Sequence, residues 1–445
     1  MAVITGCCAT KLPCKYLGIP LGESMSRSKG WREIIDRFQR RLSNWKMRLL
    51  SDGGRLTLIK SVLESLGIYF MSIFKVPVGV AKNLETLRAR FFWGAADGEK
   101  KISWVKWGVV LNSRENGGLG LAMVMTAVWD LDMGMVEGLE WKGIIANIDS
   151  LHDQGVLEDS SLTKVVGNGE LTRFWWDSWC GNQAFRWRYK RLFNISMDRD
   201  GMVKDFRSQH GWMCRWSRAV RYGQETEELT DLLHRLGQLH LSLDRDRLVW
   251  EPDPSGLFTV RSLQSRIDNA TLPSDQIGTR WFRYILIKVN ILMWRLEKNR
   301  IPTRMNLALR GIDVTSDLCP VCNAVSEDVN HVFFTCDLAK QVWIKVCNWL
   351  HIDYHDAVTS DSLWNWIQDF RLPVDKKQIL IAVCMTTIWI IWRFRNDILF
   401  DNKKLKKIML FDLIKLYSFN WFSSRNIKLK TNWVAWIQNL VSPYL

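Results

Sequence analysis

Between residues 319 and 336 the chain reads CPVCNAVSEDVNHVFFTC, which sets three cysteines and one histidine at a C-x2-C-x8-H-x4-C spacing. Four nitrogen or sulfur donors close a tetrahedron around Zn2+, and a full protein set of this kind is the structural rather than the catalytic arrangement. Cys319 and Cys322 can grip an ion from one tight turn containing Pro320, while His331 and Cys336 return from the far side of an eight-residue loop. The spacing predicts one structural zinc held by Cys319, Cys322, His331 and Cys336; the alternative is three buried free thiols beside an unrelated histidine. Asp337, directly after the last ligand, is placed to cap a helix through Trp343 to Leu350.

Cysteine usage as a whole fits the same reading. The ten cysteines are scattered over 445 residues, and the opening MAVITGCCATKLPCK has no apolar core of useful length. That combination predicts a chain that is not secreted and carries no disulfides. The longest apolar run, Ile379 to Trp392, includes two threonines and falls short of the ~20 residues a membrane helix needs, so it reads as a buried helix and no membrane partner is expected. Hydrophobic residues at 47% and charged residues at 24% place the chain among folded proteins, long enough for about three domains. The 25 tryptophans are either core anchors or stacking platforms for bases, with the core as the default.

Charge points to a polyanionic partner. The net charge is +15, and residues 1–60 carry 12 Lys and Arg against 4 Asp and Glu. Residues 380–445 carry 10 against 3, so the excess sits at the two ends. From Trp31 the apolar residues Ile34, Ile35, Phe38, Leu42, Trp45 and Leu49 form one stripe at helical spacing. Between them lie Arg32, Arg37, Arg40, Arg41, Lys46 and Arg48, a basic face suited to phosphates. Gly53 and Gly54 are expected to break this helix, with further helices over Leu56–Phe74 and about Ala81–Phe92. A second candidate surface for phosphates is WRLEKNRIPTRMNLALRGI, with Arg295, Lys298, Arg300, Arg304 and Arg310; here Pro302 and Thr303 start a helix that Gly311 ends. A solvated charged face is the bland alternative for both.

The middle is less regular. SWVKWG at 103–108 and GGLG at 117–120 show no deciding periodicity. VGNGELTRFWWDSW at 166–179 looks like a strand pair around the Asn168-Gly169 turn, and GLFTVRSL at 256–263 like a strand passing into a helix with Ser262 as N-cap. Catalytic constellations are not evident. His152, His210, His234 and His240 are scattered, and the glycine clusters lack the lysine and spacing of a phosphate loop.

Taken together, YLGIPLG at 16–22, LSDGGRLTLIKSVLESLGIYFMSIFKVP at 50–77, GGLG, VGNGELTRFWWDSW, and WRLEKNRIPTR through the cysteine motif resemble the C-terminal half of plant non-LTR (LINE-type) retrotransposon reverse transcriptases, including their zinc-binding domain. WIIWRFRNDILF at 389–400 is similar to the helix that follows that domain in the family. The resemblance implies a mainly α fold with small β elements. It divides into a thumb-like helical region over 1–93, a Trp/Gly-rich connecting region over 94–255, the zinc-binding domain over 256–351 and basic helices over 352–445. It also implies RNA or DNA as partner, through the phosphate backbone; the location expected is nuclear or cytoplasmic, with the nucleus favoured by that partner alone. The family's polymerase site needs paired aspartates for two metal ions. No adjacent Asp-Asp occurs, and the pairs Glu158-Asp159, Glu227-Glu228 and Glu327-Asp328 stand in polar surroundings. The segment between about Met123 and Glu140 is shortened, and Leu286 stands where proline is usual. The expectation is a non-catalytic remnant that binds zinc and nucleic acid; the alternatives are a zinc-stabilised protein-interaction module and a decayed fragment.

Overall fold

The computed structural model describes residues 14–16, 19–42, 49–63, 74, 76–95, 99, 101–124, 155–157, 161–181, 183–208, 211–239, 241–257, 259–275, 277–400, 405–426 and 432–438. Over these the chain is mainly α-helical, with short two-stranded antiparallel pairs. It divides into two units, Met1–Val128 with Leu272–Leu445, and Trp129–Thr271.

The first unit opens with strands β1 (Cys14–Tyr16) and β2 (Ile19–Leu21), paired so that Tyr16 faces Ile19. Helix α1 (Arg32–Arg41) follows, and the helical stripe buries Trp31, Ile34, Phe38 and Leu42. The stripe stops there: the helix closes at Arg41 and Leu49 is exposed, while Trp45 lies outside the described residues. Nor do Gly53 and Gly54 break a helix. They form the first turn of α2 (Asp52–Leu58), where the Ser51 hydroxyl accepts the Gly54 N–H at 3.3 Å. A Cβ on Gly53 would lie 2.7 Å from the backbone nitrogen of Lys288, so Gly53 serves a close backbone approach. α2 runs on through the π-helical turn Ile59–Leu63; the remainder of the helix expected to Phe74, residues 64–73, lies outside the described residues. α3 (Val78–Trp93) starts after Pro77, three residues before the expected Ala81, and ends next to the expected Phe92, on Gly94 at φ +74°.

SWVKWG leads into the short α4 (Trp107–Leu111), and GGLG returns along it. Leu119 and Leu121 donate to the carbonyls of Val110 and Leu111, both at 3.1 Å. A Cβ on Gly118 would sit 2.0 Å from the Asn112 carbonyl oxygen, which explains the glycine without any phosphate loop.

In the second unit, the hairpin expected around Asn168-Gly169 does not form. Strand β3 (Leu162–Val165) instead pairs antiparallel with β6 (Arg247–Trp250), Leu162 opposite Trp250. Between them come α5 (Phe185–Arg188), α6 (Lys190–Ile195), the pair β4 (Arg207–Ser208) and β5 (Gly211–Trp212), and α7 (Gln224–Gly237). Their core is aromatic: Phe174 stacks on Phe206 at 4.0 Å and meets Trp175, Trp179 and Phe185 edge-on or tilted. The last helix, α8 (Val260–Thr271), is capped by Thr259 and not by Ser262. Thr259 Oγ1 accepts the Ser262 N–H at 3.1 Å, and no strand occurs over the described part of 256–259.

The first unit resumes with α9 (Ile287–Glu297), α10 (Arg304–Ala308), α11 (Asp337–Leu350), α12 (Ser360–Asp369), α13 (Val374–Leu399), α14 (Leu410–Ser423) and α15 (Trp433–Gln438). Leu286, the N-cap of α9, has φ −57° and ψ 137°, a conformation proline favours, so leucine at a proline position leaves the backbone path intact. α13 is long and apolar enough to cross a membrane by length and composition, but 72% of its most apolar window is buried in the unit, against α9 and α14 among others. The tryptophans largely follow the core reading: Trp31, Trp175, Trp250, Trp294 and Trp436 are fully buried.

Candidate metal centre

The cysteine motif folds as a tight turn facing a helix start. Leu318 and Ser326 form an antiparallel bridge, and the Cys319 N–H donates to the Val325 carbonyl at 2.7 Å. The turn closes when the Asn323 N–H reaches the Cys319 carbonyl at 2.8 Å; Asn323 takes a left-handed φ of 52°, which asparagine tolerates better than most residues. His331 opens a π-helical turn, His331–Thr335, closed by the Cys336 N–H on the His331 carbonyl at 2.8 Å. That widened turn delivers Cys336 as the N-cap of α11, and Asp337 becomes the first helical residue without capping it.

Cys319, Cys322, His331 and Cys336 therefore converge, with their donor atoms all within 4.8 Å of one another. Cys322 Sγ lies 3.3 Å from His331 Nε2. A tetrahedral zinc with Zn–S bonds of 2.3 Å would space its sulfurs about 3.8 Å apart, so the set fits one ion with little adjustment. Cys319, His331 and Cys336 are buried and Cys322 is half-buried, the enclosure of a structural site. The electrostatics split the Cys319–Cys336 pair into a thiolate and a thiol. The hydrogen bond with Cys336 lowers the Cys319 thiol to about 5, against the opposing effect of burial and with help from the Cys322 and Val321 amides. The same bond, with burial, holds the proton on Cys336 and raises it. All cysteines among the described residues are free thiols.

The supporting residues were not legible in the sequence. Asp328 Oδ1 accepts the His331 N–H at 2.6 Å, and Thr335 Oγ1 lies 3.4 Å from His331 Nδ1, leaving Nε2 for the ion. Glu327, expected in polar surroundings, is wholly buried: its carboxylate pairs with Arg395 on α13 and accepts the Arg304 N–H at 2.8 Å at the start of α10. A Thr four residues after His331 was the one available signal; nothing local announces Arg395.

The basic candidates separate into exposed groups and groups held in ion pairs or buried. On α1, Arg32, Arg40 and Arg41 are exposed, whereas Arg37 pairs with Glu33 at 2.7 Å; Arg48 lies outside the described residues. Arg295 is mostly buried and bonded to Asp52 at 3.3 Å. Lys298 pairs with Asp275. Arg304 Nη1 donates to the Leu318 carbonyl at 2.6 Å, tying α10 to the cysteine turn. Thr303 caps α10 by accepting the Asn306 N–H at 3.3 Å, and Gly311 ends the segment at φ +74°, as the sequence predicts. Arg300 and Arg310 are exposed, although Arg310 also donates to the Ser103 and Trp104 carbonyls, both at 2.8 Å. The structure thus leaves two exposed clusters, Arg32/Arg40/Arg41 and Arg300/Arg310, and assigns Arg37, Arg295, Lys298 and Arg304 to intramolecular bonds.

Comparison with known proteins agrees with this geometry. Residues 258–343 match the family model described as zinc-binding in reverse transcriptase, a span that includes all four donors. An Arabidopsis thaliana protein named "Putative ribonuclease H protein" is 26% identical over 383 residues, covering 76% of this chain and 58% of its own length. An uncharacterized mitochondrial protein of the same plant is 24% identical over 149 residues, covering 26% of this chain and 92% of its own. This chain thus spans little more than half the length of the first of these relatives. No solved structure matches it.

Proposed function

From the convergence of Cys319, Cys322, His331 and Cys336 within a segment similar to the zinc-binding region of reverse transcriptases, we propose that this chain is the zinc-stabilised, nucleic-acid-binding part of a LINE-type retrotransposon reverse transcriptase, with no nucleotide-transfer chemistry of its own. The zinc, when bound, supplies folding energy and no reaction. It would tie the turn at 319–322 to the start of α11. Through Arg304 and Glu327 that fixes α10 and the neighbouring Arg300 and Arg310. These, with Arg32, Arg40 and Arg41, would contact phosphates of RNA or DNA, and a nuclear location follows from such a partner.

The test is to measure zinc in the purified full chain by elemental analysis, then titrate labelled single-stranded RNA and duplex DNA at low and physiological salt. One zinc per chain and salt-sensitive binding of about 10⁻⁴ to 10⁻⁶ M are expected. Zinc without nucleic-acid affinity would overturn the partner and favour a protein-interaction module. Absence of both would overturn the whole reading in favour of a decayed fragment.

A further inference from the structure

The structure assigns a phosphate-binding pocket to Arg55, Trp93, Lys101 and Arg295 in the first unit. The inference rests on the nucleic-acid reading above and gives it a specific seat for one phosphate. A cavity of about 270 Å³ is walled by these four residues together with Asp52, Ile102 and Trp104. Three cations against one carboxylate leave the wall at +2 (3 − 1), the complement of a phosphate group. Asp52 bridges the two guanidiniums, binding Arg55 through one oxygen and Arg295 Nη1 through the other at 3.3 Å. That bridge holds both cations at the cavity wall and reduces the entropy lost when an anion binds.

The observation that calls for a ligand is Trp93. Its Nε1 is buried and has no hydrogen-bond partner among the described residues, although the residue lines this cavity. An indole N–H can only donate, and a buried unmade hydrogen bond is a standing penalty. A phosphate oxygen in the cavity would satisfy it while facing the guanidiniums, the geometry in which arginine recognises phosphate best.

Trp104 extends the site. Its ring has Arg295 at 5.6 Å and Arg310 at 4.8 Å, and it also walls a neighbouring cavity of about 870 Å³ where five cations, Lys106, Arg300 and Arg310 among them, stand against three carboxylates. A strand with one phosphate in the small pocket would pass Trp104 toward that second group of cations. The same pocket chemistry would take free inorganic phosphate, so the two sources must be separated by experiment.

The experiment uses the full chain and two variants, Trp93→Phe, which keeps the ring and removes the donor, and Lys101→Gln, an exposed position where misfolding is not at issue. Inorganic phosphate binding is measured by calorimetry, single-stranded RNA binding by anisotropy, and folding by thermal melting. We expect each variant to melt with the parent and to bind both phosphate and RNA about tenfold more weakly, the worth of one charge-assisted hydrogen bond. Binding of both probes unchanged in both variants would overturn the pocket. Loss of RNA affinity on charge reversal of Arg32, Arg40 and Arg41, with the pocket variants unaffected, would overturn the pocket and leave the nucleic-acid reading standing. Phosphate binding that depends on Trp93 and Lys101, in a parent without RNA affinity, would support the pocket for free phosphate and overturn the polynucleotide.

Discussion

Glu327 meets Arg395 in a two-pronged ion pair, Nε to Oε1 at 2.6 Å and Nη2 to Oε2 at 2.5 Å, with both side chains almost wholly excluded from water. Sixty-eight residues apart in sequence, they join the exit of the cysteine turn to the long helix α13. Removing one partner strands a charge in the core. Arg395→Met should therefore cost about 3–5 kcal/mol, while Glu327→Met with Arg395→Met should cost less than that single change. Urea unfolding followed by tryptophan fluorescence checks this, and a double variant as unstable as the sum of its singles would contradict it.

Two glycines make a matched pair. Gly53→Ala pushes a methyl group to 2.7 Å from the Lys288 amide, backbone that cannot swing aside, so a loss of about 1–3 kcal/mol is expected. Gly79→Ala, on the open face of α3 with nothing within 4 Å, should be neutral or gain up to about 1 kcal/mol. Thermal melts of the two variants in parallel decide it: equal shifts would mean that the approach of α2 to Lys288 is not close in solution.

What the sequence made legible was whatever is fixed locally. The donor spacing brought Cys319, Cys322, His331 and Cys336 together, and Thr303, Gly94 and Gly311 act as the helix boundaries their chemistry predicts. The errors arose where distant residues decide. Asn168-Gly169 does turn, with Gly169 at φ +74°, but the carboxylate of Asp246 organises that turn and β6 supplies the pairing strand. Gly53 and Gly54 look like breakers until Lys288 is seen against Gly53. Lys298 looks like part of an open basic face until Asp275 claims it, and no periodicity reveals that Arg295 turns inward to Asp52, 243 residues away.

Asp246 carries a pH prediction. One oxygen accepts the N–H groups of Gly167 and Gly169, both at 2.8 Å; the other accepts from the Leu171 N–H at 2.9 Å and Thr172 Oγ1 at 2.8 Å. Burial opposes its ionisation, but the four donors prevail and hold the carboxyl below its usual value. A depressed carboxylate contributes stability that is present above the unfolded value of about 4 and lost as pH falls through the folded one. Asp246→Asn should cost about 1.5–3 kcal/mol at neutral pH and flatten the acid limb below about pH 4. An acid limb identical to the parent's would remove Asp246 from the account.

Glu225 offers an independent check in the same unit. Two bonds from Arg218, at 2.7 and 2.9 Å, are the main cause that lowers it to about 2, with the Arg221 N–H second. Its contribution is present above the ordinary glutamate value and fades as pH falls toward 2. Glu225→Gln should remove that part of the acid dependence and leave the curve above about pH 5 parallel to the parent. A change confined to neutral pH would point to lost packing instead.

The exposed arginines of α1 test the phosphate surface by its salt dependence. Each phosphate contact to a single strand contributes a slope of about −0.7 in log K against log salt, so reversing Arg32, Arg40 and Arg41 to Glu should flatten the slope by up to about 2 units. Arg37 serves as the internal control. It already pairs with Glu33, and its truncation to Ala should disturb α1 more than it disturbs RNA binding. RNA titrations at four salt concentrations read both effects, and an unchanged slope in the triple variant would exclude α1 as a contact face.

Metal removal should act locally and then spread along a definite path. Without the ion, the turn at 319–325 is left with thiol and imidazole hydrogen bonds, weaker than metal bonds, as its side-chain tie to the start of α11. Because metal-site binding energy is largely folding energy, a chelator should open residues 319–336 first. The apolar packing beneath, where Phe334 stacks on Trp343 and Phe333 leans on Trp392, would hold α11 and α13 together longer. Limited proteolysis should then cut near the exposed Val325 before it cuts α13. Cys319→Ser and His331→Ala should reproduce the pattern without chelator. A parent that holds no zinc, with the same protease resistance in both variants, would leave the four residues as buried thiols and a histidine. Cleavage of the whole first unit at once would instead mean that the zinc site is the keystone of its folding, and that its stability must be counted with the core rather than beside it.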